Sequence, residues 1–247
     1  MTDREQHRSP PGNQFVKVDF HIHTPESKCY SEPHATCAQI IAAALAAGID
    51  VIAVTDHNTV RGIDPARKLA QDNRPAVFPG IEVSTKAGHV LAIFDRETPV
   101  TELEDFLDYI GVGGTARGDG TIPANDPIEE VFRKINERGG IAIAAHIERW
   151  PTGFLQTKES RRTKQRIHGS QYLAALEITQ SHNKDLWSKG LMRGFPKGYA
   201  CIQGSDAHAL EEIGRRPTYL RLPNLDLQGL RTAFNDHEDS IRFPEDI

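Results

Sequence analysis

The chain has 247 residues, of which 38% are hydrophobic and 26% charged, and it carries a formal net charge of −5 at pH 7. This balance is typical of a soluble globular protein, and the length suits one large α/β domain. The negative charge argues against attraction of the whole surface to nucleic acid or anionic membranes, although it leaves a local basic groove open. The three cysteines, Cys29, Cys37 and Cys201, argue against a disulfide framework and fit a reducing compartment.

Residues 1–14 are predicted to form a flexible polar leader, which contains the turn-forming sequence Pro10-Pro11-Gly12. This segment lacks the apolar run of a signal peptide, and no later stretch is long and apolar enough to cross a bilayer. We therefore expect a cytoplasmic protein with no membrane partner, whose single folded domain spans residues 15–247.

Short apolar runs alternate with amphipathic stretches along this domain. Seven runs have the length and composition of strands: 15–21, 50–55, 76–84, 89–94, 141–145, 173–178 and 199–203. Helices are predicted over 36–47, 101–110 and 127–138, and Thr36 and Gly48 are the expected start and stop signals of the first. This alternation indicates an α/β fold, either an α/β barrel or a doubly wound parallel sheet.

Two segments interrupt the alternation. Residues 111–126 are rich in glycine, and residues 148–170 are rich in basic and polar side chains. Both segments are too long to be simple connections, and long loops on an α/β scaffold commonly carry function. We therefore predict that both are inserted functional loops.

Side chains that can bind metal ions occur at the ends of the predicted strands. They are His21, His23, Asp56, His57, Glu82, His146, Asp206 and His208. His21 and His23 form an HxH pair, and alternate residues of a strand point to the same side. His89 is an exception because it begins its predicted strand. In an α/β barrel the carboxyl ends of the strands converge on one face, so these side chains would meet there.

Such a convergent group predicts a metal site, because buried carboxylates and imidazoles are costly without an ion to pair with. The mixture of the two ligand types favours zinc, manganese or iron over magnesium or calcium. There are too many candidate ligands for one tetrahedral zinc ion. The sequence therefore predicts a multinuclear site in which a carboxylate bridges two ions.

Six motifs together resemble the PHP (polymerase and histidinol phosphatase) family, from about Val18 to Arg215. They are DFHIHT (19–24), VTDHN (54–58), PGIEVS (79–84), GHVLAIF (88–94), GGIAIAAHIER (139–149) and GSDAH (204–208). The resemblance implies a distorted seven-stranded (β/α)7 TIM-like barrel in a single domain. It also implies up to three divalent ions and the hydrolysis of phosphate esters.

The resemblance also implies a distribution of ligands. The first ion is expected on His21, His23, Glu82 and Asp206; the second on Glu82, His89 and His146; the third on His57 and His208. Family members commonly carry an acidic residue or histidine shortly after the HxH pair, where this chain has Lys28 and Cys29. Cys29, Glu26 or His34 could replace that ligand. We expect two filled sites and a weak or empty third one.

The stretch HTPESKCY (23–30), together with GSDAHALEEIGRR (204–216) and LQGLRTAF (227–234), resembles PHP domains associated with SMC-like and AAA-type ATPases. This narrower resemblance implies that an ATPase of this kind is a partner in nucleic-acid processing.

Two ions that share Glu82 could hold a bridging hydroxide for attack on phosphorus, and Asp206 or His208 could protonate the leaving oxygen. Arg149, Arg215 and Arg216 are candidate phosphate-binding residues, because guanidinium groups bind phosphate in pairs of hydrogen bonds.

The basic stretch 158–168 could guide a nucleic acid or a nucleotide towards the site. Trp150, Phe154 and Tyr172 could stack on a base.

Four functions stay open. The leading one is hydrolysis of a small phosphomonoester or nucleotide. The second is a nuclease module that works with an ATPase partner. Amidohydrolase chemistry is disfavoured because no strand-end lysine stands where it could form a carbamate bridge. The last alternative is a non-catalytic docking domain that metal ions merely stabilise.

Overall fold

The computed structural model describes residues 14–70 and 74–247. The predicted leader, 1–14, lies outside the described residues except for Gln14. Within the described ranges, no helix combines the length and the apolar composition that crossing a membrane requires.

One sheet forms the centre of the molecule. Its strands are β1 (Phe15–Ile22), β2 (Val51–Val54), β3 (Ala76–Thr85), β4 (Gly88–Ile93), β5 (Ile141–Ala144), β6 (Leu173–Glu177), β7 (Ala200–Ile202), β8 (Thr218–Arg221) and β9 (Ile241–Arg242). They are ordered β7-β6-β5-β4-β3-β2-β1-β8-β9. The first seven strands correspond to the seven predicted ones. β2 to β5 are buried along their whole length, which explains why they read as unbroken apolar runs.

The first seven strands curve into a nearly closed barrel. The segment that follows β7 returns to the end of β1, where Ala207 forms a parallel bridge with Ile22. The backbone N–H of His23 donates to the Ala207 carbonyl at 3.1 Å, and the N–H of Ala207 donates to the His21 carbonyl at 3.3 Å. This contact places the residues after β7 against the carboxyl end of β1.

The expectation of a seven-stranded (β/α)7 barrel is correct only in its coarse features. The sheet has nine strands of mixed direction. β1, β2 and β3 are parallel, as are β5, β6 and β7, whereas β4 is antiparallel to both of its neighbours. Only residues 86 and 87 connect β3 to β4, and a parallel crossover needs about a dozen residues or more. β8 and β9 extend the sheet beyond β1 in antiparallel pairs.

Helices flank this sheet. They are α1 (Cys37–Ala46), α2 (Ile63–Leu69), α3 (Val100–Tyr109), α4 (Ile128–Glu137), α5 (Arg161–His168), α6 (Lys184–Ser188), α7 (Leu227–Asn235) and α8 (His237–Ser240). The predicted helices agree with α1, α3 and α4. Thr36 caps α1 as expected, because its hydroxyl accepts from the Gln39 N–H while the Gln39 side chain accepts from the Thr36 N–H.

The segment 148–170, predicted as a loop, contains α5. Ser160 is its N-cap and accepts a hydrogen bond from the Thr163 N–H at 3.1 Å. Only Ile167 and His168 of this helix are buried, so the sequence lacks the apolar stripe by which helices are recognised.

Candidate metal centre

The predicted ligands lie together at the carboxyl end of the barrel and are called here the ligand cluster. Its members are His21, His23, His57, Glu82, His89, His146, Asp206 and His208. All are buried except His208, whose side chain is 25% exposed. The strand topology therefore brings to one place residues that are up to 187 positions apart, from 21 to 208.

Glu82, near the end of β3, lies at the centre of the ligand cluster. Its Oε2 atom is 3.2 Å from Nε2 of His21 and 3.2 Å from Nε2 of His23. The same oxygen is 2.9 Å from Nδ1 of His57. One carboxylate oxygen therefore faces three imidazoles, as a bridging ligand would.

The other oxygen of Glu82 faces His89 and His146. Oε1 is 2.9 Å from Nδ1 of His89 and 2.8 Å from Nε2 of His146. His89 reaches this end of the barrel because β4 runs antiparallel to its neighbours, so that its first residues lie beside the last residues of β3. The reversed strand accounts for the position of His89, which a purely parallel barrel could not explain.

Nitrogen and oxygen atoms of the cluster fall into three groups that could each hold an ion. The groups are His21, His23, Glu82 and Asp206; His57, Glu82 and His89; and His23, His57 and His208. The first is the set that the family resemblance implies for the first ion. In the second group, His57 takes the place expected for His146. His146 contacts only Oε1 of Glu82, whereas His57 contacts Oε2.

Three buried atoms of the cluster face one another without a hydrogen bond. They are Nε2 of His21, Nδ1 of His57 and Oε2 of Glu82. Unpaired polar atoms are rare in protein interiors because each costs about 1–3 kcal/mol. A divalent cation would satisfy all three atoms at once. The donor set of imidazoles and carboxylates therefore fits a centre for divalent metal ions.

Protonation of the imidazoles is the alternative way to satisfy these atoms. Burial alone would lower the pKa of His21, but the charges of Glu177 and Glu82 raise it to about 10. Burial opposes the charged form of His57 as well, and the Glu82 charge raises its pKa to about 10. Burial lowers the pKa of His23 to about 3. The metal-free cluster therefore holds protons where a bound ion would supply positive charge.

Glu177, the last residue of β6, orients His21. Its two carboxylate oxygens lie 3.0 and 2.9 Å from Nδ1 of His21, so this nitrogen carries the proton and Nε2 turns towards Glu82. Glu177 also accepts a hydrogen bond from the N–H of His146 at 2.7 Å. Sequence reasoning missed this residue, although its position at a strand end, like that of Glu82, was an available signal.

Asp56 supports the cluster without joining it. Its carboxylate accepts from the Thr24 N–H and hydroxyl and from the Ser27 hydroxyl, each at 2.7 Å. Since the Ser27 hydroxyl donates to Asp56, it must accept from Nδ1 of His23, which lies 3.0 Å away. This chain of hydrogen bonds leaves Nε2 of His23 free to face Glu82.

Asp19, in β1, connects three parts of the chain. Its carboxylate accepts from the backbone N–H groups of His21 at 3.3 Å, Ser205 at 3.0 Å and Gly214 at 3.0 Å. Burial raises the pKa of Asp19, while these hydrogen bonds oppose the rise. Asp19 thus fixes the segment that carries Asp206, a role that the sequence did not indicate.

Three residues at the site adopt the left-handed backbone conformation although none of them is glycine. They are Asn58 (φ 52°), His146 (φ 27°) and Asp206 (φ 49°). This conformation is unfavourable for side chains with a Cβ atom, and such strain persists where surrounding contacts enforce it. His146 and Asp206 belong to the ligand cluster, and Asn58 directly follows His57. The strain is thus concentrated where strand ends turn to present ligands.

Asp206 connects the cluster to the candidate phosphate-binding arginines. Its Oδ1 atom is 3.3 Å from Nε2 of His21 and 3.2 Å from Nε2 of His23. Its other oxygen accepts a hydrogen bond from Arg149. Nδ1 of His208 donates to the Asp206 carbonyl at 3.0 Å, which leaves Nε2 of His208 available for an ion or a proton.

The three predicted arginines lie near one another at the cluster. Nε of Arg215 donates to the Ser205 carbonyl at 2.9 Å, and Nε of Arg216 donates to the Gly204 carbonyl at 3.2 Å. Burial lowers the pKa of Arg149, and the charges of Arg216 and Arg215 act in the same direction. Such mutual repulsion would be relieved by a bound anion.

Cys29, Glu26 and His34 are all exposed, and none of them belongs to the three groups found among the described residues. Burial would raise the pKa of the Cys29 thiol, but hydrogen bonds with His208 and His57 lower it to about 6. The loop holding Cys29 is fixed by hydrogen bonds from the N–H and hydroxyl of Ser31 to the His208 carbonyl, at 2.8 and 2.7 Å.

The glycine-rich segment 111–126 packs over one side of the cluster. The Gly118 N–H donates to the His57 carbonyl at 3.0 Å, and a Cβ atom on Gly120 would lie 2.7 Å from the His57 ring. Only glycine permits this close approach. The amide of Asn58 also donates to the carbonyls of Asp119 and Ile122, at 2.9 and 3.0 Å.

The cations of the basic stretch 158–168 differ in whether they have partners in the structure. Lys164 donates to the carbonyls of Leu155 and Thr157, and Arg166 pairs with Glu129, so these two cations have structural partners. Arg161 and Arg162, at the start of α5, are exposed. The basic stretch is therefore less free to bind a polyanion than its composition suggests.

No family model matches the sequence. The chain is 31% identical over 142 residues to the uncharacterized protein MJ1587 of Methanocaldococcus jannaschii, a match that covers 53% of this chain and 67% of the relative. It is also 31% identical over 88 residues to a 5′-3′ exoribonuclease of Haemophilus influenzae, covering 34% of this chain and 31% of that enzyme.

Two solved structures share the fold. Endonuclease Q, in complex with a 27-mer duplex substrate bearing an abasic lesion at the active site, superposes with a TM-score of 0.68 at 18% identity. That match covers 90% of this chain and 57% of Endonuclease Q, so the chain spans little more than half of that enzyme. A two-domain protein of Bacteroides vulgatus that contains a predicted PHP-like metal-dependent phosphoesterase superposes with a TM-score of 0.63 at 17% identity, over 98% of this chain and 69% of the other.

These similarities confirm the family resemblance that the six motifs indicated, while the narrower ATPase-associated subgroup stays a prediction. The chain belongs to the same family as MJ1587, and its fold is that of the PHP-like metal-dependent phosphoesterases.

Proposed function

We propose that this chain is a metal-dependent phosphoesterase that hydrolyses a small phosphomonoester or a nucleotide. The observation that carries the proposal is the meeting of the unpaired atoms of His21, His57 and Glu82 in the barrel, next to Asp206 and its partner Arg149. Ligands for cations and ligands for phosphate thus occur side by side, as hydrolysis of a phosphate ester requires.

The ligand cluster would hold two or three divalent ions, of manganese, zinc or iron. Glu82 is the proposed bridging residue because both of its oxygens face imidazoles. When bound, the ions would lower the pKa of a coordinated water and neutralise charge on the phosphate. Cys29 is a candidate ligand of the third ion, because interactions with His208 and His57 lower the pKa of its thiol to about 6 and so favour the thiolate.

The residues of the chain have distinct tasks in this proposal. Glu177 fixes the tautomer of His21. Arg149, Arg215 and Arg216 bind phosphate oxygens and align the ester. His208, which is partly exposed, can hold a proton on Nε2 while Nδ1 donates to the Asp206 carbonyl. His208 is therefore the candidate proton donor to the leaving oxygen.

A nuclease is the second candidate function. It is supported by the identity to an exoribonuclease over 88 residues and by the fold shared with Endonuclease Q. An SMC-like or AAA-type ATPase partner would belong to this function and stays a prediction, as does the cytoplasmic location.

The test is hydrolysis by metal-free protein reloaded with manganese, zinc or iron. The substrates are a chromogenic phosphomonoester, nucleotides, and single-stranded DNA and RNA. We expect Asp206→Ala to abolish the activity, while Asp185→Ala keeps it, because Asp185 is an exposed carboxylate on α6 whose side chain is 74% exposed. Bound metal with no hydrolysis of any substrate would instead favour the docking domain.

A further inference from the structure

Trp150 is the most exposed large apolar side chain of the described residues, with 77% of its surface accessible. It directly follows Arg149, whose guanidinium contacts Asp206 of the ligand cluster. Consecutive Cα atoms are about 3.8 Å apart, so the backbone of Trp150 lies next to a residue that contacts the candidate site. Exposed indoles are a recurrent means of binding planar groups, because they offer a large rigid face with little conformational entropy to lose.

The backbone around Trp150 is held in place from several sides. The Arg149 N–H donates to the His146 carbonyl and the Gly153 N–H to the Arg149 carbonyl, both at 2.8 Å. The His89 N–H donates to the Thr152 carbonyl at 3.1 Å. The turn is therefore tied to two members of the ligand cluster, and Trp150 has a fixed backbone position relative to them.

The side chains beside Trp150 are also anchored. Glu148 accepts hydrogen bonds from the N–H groups of Thr179 and Gln180, at 3.1 and 2.9 Å, and from the amide of Asn183 at 2.7 Å. Phe154 is 1% exposed. Trp150 is thus an exposed side chain on a turn whose neighbouring residues are hydrogen-bonded or buried.

The other aromatic candidates are placed differently. Phe154 is part of the core, and Tyr172 precedes the first residue of β6, at the end of the strand away from the ligand cluster. Trp187, the second tryptophan, is 2% exposed and donates its indole N–H to Glu148. Among the described aromatic residues considered for stacking, Trp150 alone is both exposed and adjacent in the chain to a residue that contacts the cluster.

We propose that Trp150 stacks on a nucleobase of the substrate while Arg149 engages its phosphate. This inference rests on the proposed phosphoesterase function and narrows its substrate class to base-bearing phosphate esters, that is, nucleotides or the ends of single-stranded nucleic acid. Stacking of a base on an aromatic side chain is worth about 5- to 150-fold in affinity.

The kinetic test compares adenosine 5′-phosphate with ribose 5-phosphate, which lacks the base. The quantity measured is the ratio of the two kcat/KM values for the reloaded protein. We expect Trp150→Ala to lower this ratio about tenfold and Trp150→Phe to restore most of it. Leu191→Ala removes another exposed apolar side chain, 65% exposed and located before β7, and should leave the ratio unchanged. An unchanged ratio in Trp150→Ala would overturn the proposal.

A binding test is independent of turnover. Adenosine and inorganic phosphate, the products, are titrated into manganese-loaded protein while tryptophan fluorescence is excited at a wavelength that adenosine does not absorb. Stacking predicts quenching in the native protein and no quenching in Trp150→Ala, in which only buried Trp187 emits. Absence of quenching in the native protein overturns stacking. If no phosphate ester is hydrolysed at all, the proposed function fails while this titration still decides the role of Trp150.

Two further substrates show whether the stacked base belongs to a free nucleotide or to the end of a nucleic acid. They are a 5′-phosphorylated tetranucleotide and the same molecule with an abasic first position. A larger loss in Trp150→Ala for the intact tetranucleotide than for adenosine 5′-phosphate assigns the stacked base to a nucleic-acid end, and the reverse assigns it to a free nucleotide. Equal rates of native protein and variant on every base-bearing substrate would refute both assignments.

Discussion

Two sets of buried polar side chains lie at the same end of the barrel and differ in one respect. The supporting carboxylates, Asp19, Asp56 and Glu177, accept hydrogen bonds from backbone N–H groups, hydroxyls or an imidazole. In the ligand cluster, Oε2 of Glu82 and the facing nitrogens of His21 and His57 have no such partner. The carboxylates of both sets are buried, so burial alone does not separate a structural carboxylate from a metal ligand. The unpaired Oε2 atom of Glu82 is what separates the two sets.

Because Oε2 of Glu82 is unpaired, we expect substitution of Glu82 to cause the largest loss of bound metal and of activity. Glu82→Gln keeps the shape of the side chain but removes the charge that faces the imidazoles of the cluster. We expect loss of bound metal and a fall in activity beyond the about 100-fold that is usual for residues that only orient a ligand. Metal content by mass spectrometry and kcat/KM measure the two effects. Full metal content in this variant would place the ions elsewhere.

Glu177→Gln should have an intermediate effect. The amide can still contact Nδ1 of His21, but it no longer holds the tautomer with a charge. Metal affinity or activity is expected to fall about 10- to 100-fold, with the fold retained. A loss as large as that of Glu82→Gln would show that Glu177 is itself a ligand.

The pH dependence of metal binding tests the protonation of the cluster. The pKa values of His21 and His57 are both raised to about 10 in the metal-free protein, so both imidazoles are protonated at pH 7. An ion must displace these protons, so affinity should rise with pH by about tenfold per unit for each proton released. Calorimetry in buffers of different ionisation enthalpy counts the protons. Binding without proton release would contradict the raised pKa values.

Asp19→Ala should have the smallest effect on metal binding. It removes the acceptor of three backbone N–H groups, and each buried group left unsatisfied costs about 1–3 kcal/mol of the free energy of unfolding. We expect a lower denaturation midpoint but a metal affinity that changes less than tenfold. The opposite pattern, unchanged stability with loss of bound metal, would show that Asp19 is not a structural carboxylate.

The strands and most of the cluster could be predicted because their signals are local. β2 to β5 are buried on both faces, and the HxH pair stands at the end of a strand. The hydrophobic pattern of each strand and the position of each ligand at a strand end are therefore enough to predict them. The strand-end position of Glu177 was a signal, but its role was not evident because its partner His21 is 156 residues away in the sequence. The direction of β4 depends on the two-residue connection at 86 and 87, and α5 has too few apolar residues to show a helical period.

The central claim is that the unpaired atoms around Glu82 bind metal ions. Anomalous diffraction from crystals soaked in manganese tests it directly, because the ions are located without reference to activity. We expect at least two anomalous peaks that share Glu82 as a ligand, with His21, His23 and Asp206 around one of them. Peaks at Asp19, Asp56 or Glu177 instead, or a cluster that stays free of manganese, would contradict it.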